Sequence, residues 1–139
     1  MRLVMGIPNA GKTTYSQRFS NVIHADDYIG NHDSYVELLA TVDDECIEGL
    51  YTTRKSRLLL LSECPNAKRK VCIFIDTPKE VCMMREGEHN SSIPYHARRL
   101  EPPTCSEGWD EIIVIDGAIP VHPMHLRAPW TRESACGNV

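Results

Sequence analysis

A glycine-bounded stretch near the start of the chain carries the residue types that bind phosphate. It reads Gly6-Ile7-Pro8-Asn9-Ala10-Gly11-Lys12-Thr13-Thr14 and matches the pattern G-x-x-x-x-G-K-[ST] in full. Glycine at both ends lets the backbone close around phosphate oxygens, where a side chain would clash. The backbone N–H groups of this loop then point inward at the phosphates. The loop residues predicted to bind the nucleotide are Gly6, Asn9, Ala10, Gly11, Lys12, Thr13 and Thr14.

Two side chains of this loop have specific predicted roles. Lys12 reaches the β- and γ-phosphates, and the Thr13 hydroxyl ligates Mg²⁺. The alternative is a glycine-punctuated turn that happens to carry a lysine. The context favours the phosphate loop, because residues 1–5 are apolar and strand-like and residues 14–19 can continue as a helix. The pattern therefore predicts binding of a nucleoside triphosphate.

A pair of carboxylates follows the next predicted strand, residues 21–24. Asp26 and Asp27 lie just past its carboxyl end, where open α/β sheets bind their ligands. A carboxylate is ionised at neutral pH, so one of the two can take the proton of an attacking hydroxyl. The alternative is that one aspartate only caps the following helix.

Length and composition restrict the class of protein. The 139 residues fit one domain, and the apolar fraction of 42% with 24% charged residues is typical of a globular protein. The net charge of −4 argues against binding nucleic acid through overall charge. No apolar run approaches the roughly 20 residues of a membrane span. The six cysteines form no C-x-x-C pair and no signal peptide precedes them, which predicts reduced thiols in a cytoplasmic protein without zinc.

Hydrophobic periodicity predicts alternating strands and helices. Beyond the elements already named, strands are predicted at 46–50, 71–76 and 112–115, and helices at about 34–46, 54–64, 79–86 and 94–100. Five strands separated by helices predict a parallel sheet covered on both faces. The tail after residue 116 has no periodicity and is predicted to be irregular structure packed on the same domain.

Three arginines flank a polar, glycine-containing stretch at 87–92. Arg85 ends one predicted helix, and Arg98 and Arg99 end the next. Such an arrangement predicts a lid at about 85–99 that closes over the triphosphate, where a guanidinium neutralises charge on the transferred phosphoryl group. Arg85 is the strongest of the three because a helix anchors it beside the lid.

Several of these segments together resemble the polynucleotide 5′-hydroxyl kinase domains. The resemblance covers roughly residues 2–116. It is carried by the phosphate loop, by Asp26-Asp27-Tyr28, by Ile75-Asp76-Thr77-Pro78 before the helix with Arg85, and by Arg99-Leu100-Glu101-Pro102-Pro103-Thr104 with Glu107-Gly108-Trp109. Two positions depart from the family pattern. Ile29 stands where phage-type enzymes carry an arginine that holds the acceptor's phosphate, and Glu48 is the acidic residue nearest to the usual strand-end aspartate.

The resemblance implies a fold and a set of roles. The fold is a three-layer P-loop kinase fold with a five-stranded parallel sheet of order 2-3-1-4-5, spanning residues 1–116. Asp26 is the general base, Lys12 and Arg85 contact the γ-phosphate, Thr13 ligates the metal, and Arg99 contributes to nucleotide binding.

The predicted function is Mg²⁺-dependent transfer of the γ-phosphoryl group of ATP to a hydroxyl, with the 5′-hydroxyl of a polynucleotide as the first candidate acceptor. Ile29, the negative net charge and the scarcity of aromatic residues favour a second candidate, a kinase of a small-molecule alcohol such as a nucleoside, nucleotide or antibiotic. A third possibility is a nucleotide-binding module without catalysis, against which Lys12, Thr13 and Asp26 argue.

Overall fold

A computed structural model of the chain describes residues 1–86, 92–118 and 131–136. The described part has six strands and five α-helices, joined by two short 3₁₀ helices at Ala25–Tyr28 and Cys105–Glu107. The strands are β1 (Arg2–Met5), β2 (Val22–His24), β3 (Cys46–Gly49), β4 (Val71–Asp76), β5 (Glu111–Asp116) and β6 (Thr131–Ala135). The helices are α1 (Lys12–Ser16), α2 (His32–Leu39), α3 (Arg54–Glu63), α4 (Lys79–Glu86) and α5 (Ser92–Arg99).

The sheet is mostly parallel, as predicted, but it has six strands in the order β2-β3-β1-β4-β5-β6. The prediction of a five-stranded parallel sheet of order 2-3-1-4-5 is therefore corrected. The additional strand β6 pairs antiparallel with β5, from Glu111 opposite Ala135 to Ile115 opposite Thr131. Part of the tail predicted to be irregular is thus regular structure.

The sequence signal for β6 is weak for a physical reason. The strand reads Thr-Arg-Glu-Ser-Ala, and its residues 132–135 are exposed. An edge strand of this kind buries little apolar surface, so it lacks the hydrophobic pattern that marks a strand in sequence. It forms because β5 presents unpaired backbone groups at the sheet edge. Residues 119–130 and 137–139 of the predicted tail lie outside the described residues, and the proposed division at residue 116 stays a prediction.

Buried apolar side chains alternate between the two faces of the central strands. On one face Leu3, Met5 and Phe74 pack with Leu39 of α2 and Leu60 of α3. On the other face Val4, Ile73 and Ile75 pack with residues of three helices, namely Tyr15 of α1, Cys82 of α4 and Ile93 of α5. Helices therefore cover both faces, as the runs of apolar residues in β1 and β4 require.

The cysteines correct one prediction. Cys105 and Cys136 form a disulfide that closes a sequence separation of 31 residues, so reduced thiols were wrongly predicted for this pair. The bond joins the second 3₁₀ helix to the residue that follows β6. Cys46, Cys64, Cys72 and Cys82 are free and buried. Burial raises the pKa of Cys46 to about 12 and that of Cys64 to about 11, which makes these thiols poorly reactive.

Within the described ranges, no helix has the length and apolar character needed to cross a membrane.

Candidate active site

A cleft of about 650 Å³ opens at the carboxyl ends of β1 and β3. This is the edge of a parallel sheet at which ligands bind in open α/β folds. The residues that line the cleft include five ionisable side chains and the hydroxyl of Thr13. The ionisable side chains are Lys12, Asp26, Glu48, Arg85 and His96. Four of these six side chains were assigned roles from the sequence, and the fold brings those four together.

The loop between β1 and α1 has the backbone that its glycines permit. A Cβ atom at Gly6 would lie 2.8 Å from the carbonyl oxygen of Ile75, so only glycine allows this approach of β1 to β4. Gly11 has φ 108°, a region that residues with a side chain rarely adopt. Asn9 also has a positive φ, of 63°. The glycines and Asn9 therefore allow the sharply curved backbone of this loop.

Lys12 lies at the base of the cleft, where its ammonium group donates a hydrogen bond of 2.8 Å to the carbonyl of Ile7. Burial lowers the pKa of Lys12, and the charges of Glu48 and Asp26 oppose that shift. Two carboxylates are thus close enough to Lys12 to influence its ionisation. Lys12 is half-buried, and its ammonium group is held by a backbone carbonyl close to two carboxylates.

The hydroxyl of Thr13 donates a hydrogen bond of 2.9 Å to Oε1 of Glu48. Glu48 comes from β3 and is itself buried, with 6% of its surface exposed. Its other oxygen, Oε2, lies 3.7 Å from Nδ1 of His24. In the sequence, Glu48 was only the acidic residue nearest to the strand-end aspartate of the polynucleotide kinase pattern. The tertiary structure places it directly opposite the threonine hydroxyl.

Hydroxyl and carboxylate oxygens of this kind suit Mg²⁺, which prefers few protein ligands and retains water and phosphate oxygens. Thr13 and Glu48 would hold such an ion against a bound triphosphate. Among the described residues there is no cluster of three or more histidine, cysteine or acidic side chains that could hold a metal alone. The donor set therefore fits an ion that is bound together with a nucleotide.

Asp26 lines the cleft from the first 3₁₀ helix, which directly follows β2. Both aspartates are exposed, but Asp27 is not part of the cleft lining. The N-cap of the 3₁₀ helix is His24 and that of the following helix α2 is Asn31. Asp26 therefore lines the cleft, its role as base stays a prediction, and neither aspartate is the N-cap of a helix.

Arg85 reaches the loop between β1 and α1 from the end of α4. Its Nη1 donates hydrogen bonds of 3.2 Å to the carbonyls of Asn9 and Ala10, and its Nη2 donates one of 2.6 Å to the carbonyl of Gly117. The buried hydroxyl of Thr77 also donates to the carbonyl of Ala10, at 2.7 Å. Arg85 thus lies beside the loop and ties it to the chain segment after β5, and its contact with a γ-phosphate stays a prediction.

Helix α5 does not present the predicted arginine to the cleft. Arg98 and Arg99 are exposed, and the guanidinium of Arg99 lies over the ring of Tyr95, 5.2 Å from its centroid. The α5 residues that do line the cleft are Ser92 and His96. Sequence reasoning missed both, because a serine and a histidine in a short helix carry no motif. The predicted lid also includes residues 87–91, which lie outside the described part of the chain.

The second half of the family-like pattern forms a buried structural network. Glu107 accepts hydrogen bonds of 2.7 and 2.9 Å from Nε and Nη2 of Arg57, and one of 3.0 Å from the indole N–H of Trp109. The backbone N–H of Thr104 also donates to Glu107, at 3.1 Å. These residues fasten the segment before β5 to α3. The glutamate and tryptophan of this pattern are therefore explained by packing and hydrogen bonding rather than by ligand contact.

The wall of the cleft that carries Asp26 and Glu48 belongs to an acidic stretch of chain. From residue 19 to residue 53 the sequence has no lysine or arginine and eight aspartates and glutamates, of which only Asp26 and Glu48 line the cleft. Ile29, just after the aspartate pair, is 81% exposed. Arg85 and His96 come from α4 and α5, which follow β4 in the chain, and β4 lies on the other side of β1 from β3 and β2. Lys12 lies between the two groups, at the start of α1 and close to both carboxylates.

Comparison with known proteins establishes the fold class. No protein-family model matches the chain, and no curated protein sequence matches it. Among solved structures, an unliganded crystal structure of a sugar kinase from Janibacter sp. HTCC2649 is similar to it, with a TM-score of 0.65 and 18% sequence identity. The alignment covers 86% of each chain. The chain therefore has the fold of a known kinase, and at this identity the likeness concerns the fold alone.

Proposed function

We propose that the protein is a phosphotransferase that moves the γ-phosphoryl group of Mg²⁺-bound ATP to a hydroxyl of a small molecule. The observation that carries the proposal is that the glycine loop, Lys12, Arg85 and Asp26 all line one cleft. The loop and its two cations suit a polyphosphate donor, and the carboxylate of Asp26 suits an acceptor hydroxyl.

The residues have separate roles in this reaction. Lys12 leaves the carbonyl of Ile7 to bind the β- and γ-phosphates, and Arg85 keeps the loop in place and faces the transferred group. Thr13 and Glu48 would hold Mg²⁺, which would supply charge neutralisation at the phosphate oxygens. Asp26 orients the acceptor hydroxyl and takes its proton. Because phosphoryl transfer has a loose transition state, positioning and charge compensation provide most of the rate enhancement.

The carboxylates of Asp26 and Glu48 in the cleft support a small, neutral or cationic acceptor. A polyanion approaching Asp26 would meet carboxylates and the exposed Ile29 instead of a phosphate-binding cation. The kinase with the similar fold is described as a sugar kinase, and a sugar is a neutral small-molecule alcohol. Both observations favour the second of the two acceptors considered from sequence.

A polynucleotide 5′-hydroxyl remains the second candidate, on the strength of Asp26-Asp27-Tyr28. Tyr28 stacks on Tyr35 with ring centroids 5.2 Å apart, beside the aspartate pair. An aromatic pair at this position could receive a base. The Glu107 and Trp109 part of the pattern gives no further support, because those side chains are occupied in the buried network.

An acceptor screen tests the proposal. The protein is incubated with γ-labelled ATP and Mg²⁺, together with sugars, amino sugars, nucleosides and 5′-hydroxyl oligonucleotides. We expect label transfer to a small alcohol in the wild type and its loss in Lys12→Ala. Transfer only to oligonucleotides would make the second candidate correct. ATP binding without transfer to any acceptor would indicate a non-catalytic nucleotide-binding module, and failure to bind ATP would refute the proposal altogether.

A further inference from the structure

The inward face of α5 has one polar side chain at its centre. Ile93 is fully buried, and Ala97 and Leu100 pack against the same core cluster. His96 lies three residues after Ile93, so the two share a helix face. The apolar contacts on either side fix the rotation of α5, and the imidazole is thereby directed toward the cleft, which it lines.

His96 is half-buried and lines the cleft beside positively charged side chains. Burial lowers its pKa, and the charges of Lys12 and Arg99 lower it further. Lys12 faces it from α1 and Arg85 from α4, while Asp26 faces the same cleft from the first 3₁₀ helix. A neutral imidazole has one N–H group to donate, and it adds no positive charge next to Lys12. The ring of Tyr95 packs edge-on against the imidazole, with centroids 5.2 Å apart, which supports its orientation.

We propose that His96 is the α5 side chain that donates a hydrogen bond to the terminal phosphate of the bound nucleoside triphosphate. The inference rests on the proposed function, since it needs a triphosphate in the glycine loop. It assigns to an imidazole the position on α5 that the sequence suggested for Arg99. Arg99 is exposed, its guanidinium lies over the ring of Tyr95, and it does not line the cleft.

The test compares binding of Mg²⁺-ATP and Mg²⁺-ADP by calorimetry in the wild type, His96→Ala, His96→Gln and Arg98→Ala. A hydrogen bond to a charged group is worth about a factor of 10 to 100 in affinity. We expect His96→Ala to lose that factor for ATP and to keep its ADP affinity, because ADP lacks the terminal phosphate. His96→Gln retains a donor and should recover part of the ATP affinity. Arg98 is exposed on the same helix, and its replacement by alanine should leave both affinities unchanged.

Other outcomes separate the possible errors. Equal loss of ATP and ADP affinity in His96→Ala, or no loss in either, would overturn the role of His96 while the proposed function stands. Loss of the same size in Arg98→Ala would show that the effect is general and would also overturn it. A wild type that binds neither nucleotide would refute the proposed function instead. Should the alanine variant not fold, histidine-selective NMR of the wild type decides, with a His96 shift expected for ATP and not for ADP.

Discussion

Replacing Glu107 with glutamine tests whether the family-like segment before β5 has a structural role. The side chains of Arg57 and Glu107 are 0% and 1% exposed, and the two are joined by hydrogen bonds of 2.7 and 2.9 Å. Glutamine preserves the shape but removes the charge, and its N–H₂ group opposes a donor of Arg57. Arg57 is then left as a buried cation without a carboxylate.

The magnitude follows from this burial. Removing one partner of a buried ion pair costs about 3 to 5 kcal/mol. With an unfolding entropy of about 2.1 cal/mol/K per residue, the 139-residue chain should lose about 10 to 17 °C in Tm. Glu111→Gln is the matched control, because its partner Arg69 at 2.9 Å is 66% exposed. An exposed pair of this kind contributes about 0 to 1 kcal/mol, so this variant should lose at most about 3 °C.

The pH dependence of the unfolding free energy gives a second test of the Arg57–Glu107 ion pair. Burial of Glu107 opposes its ionisation, but hydrogen bonds from Arg57 and Trp109 outweigh burial and hold its pKa below the ordinary value. The stabilisation is therefore present above the unfolded-state pKa of about 4.3 and is lost as pH falls through the lower folded-state pKa. Glu107→Gln should flatten this acid dependence. Differential scanning calorimetry between pH 3 and pH 8 measures both effects. A normal Tm in Glu107→Gln combined with weakened acceptor binding would refute the structural role.

Three further predictions concern the site and the tail. Asp26→Asn should lower kcat by about 10² to 10⁴ while the dissociation constant of ATP, measured by calorimetry, stays unchanged, and unchanged turnover would refute its role as base. Gly117→Ala places a Cβ 1.6 Å from the Thr77 hydroxyl and should cost about 1 to 3 kcal/mol with weaker ATP binding. Gly30→Ala is the control for that variant, since nothing lies within 4 Å of its Cβ and only the φ of 79° is strained. Cys105→Ser, or reduction, should cost about 3 to 4 kcal/mol in thermal unfolding for a bond closing 31 residues, and an unchanged Tm would show that the bond does not form in solution.

The sequence determined the elements whose signals are local. The glycine loop, the buried strand β4 and the helix α4 follow from residue order, because backbone freedom and hydrophobic periodicity act over a few residues. The candidate site was predictable to the same extent. Lys12, Thr13, Asp26 and Arg85 were identified from short patterns, and the structure places all four around one cleft.

Tertiary structure decided what depends on distant partners. Glu48 lies opposite Thr13 only because β3 pairs beside β1, and the rotation of α5 that exposes His96 instead of Arg99 to the cleft is set by core packing. β6 has no pattern of its own, since its stability comes from the free edge of β5. The disulfide likewise requires that β6 bring Cys136 to Cys105. Contacts between residues far apart in the chain produce no local pattern in the sequence. These features could therefore be identified only from the tertiary structure.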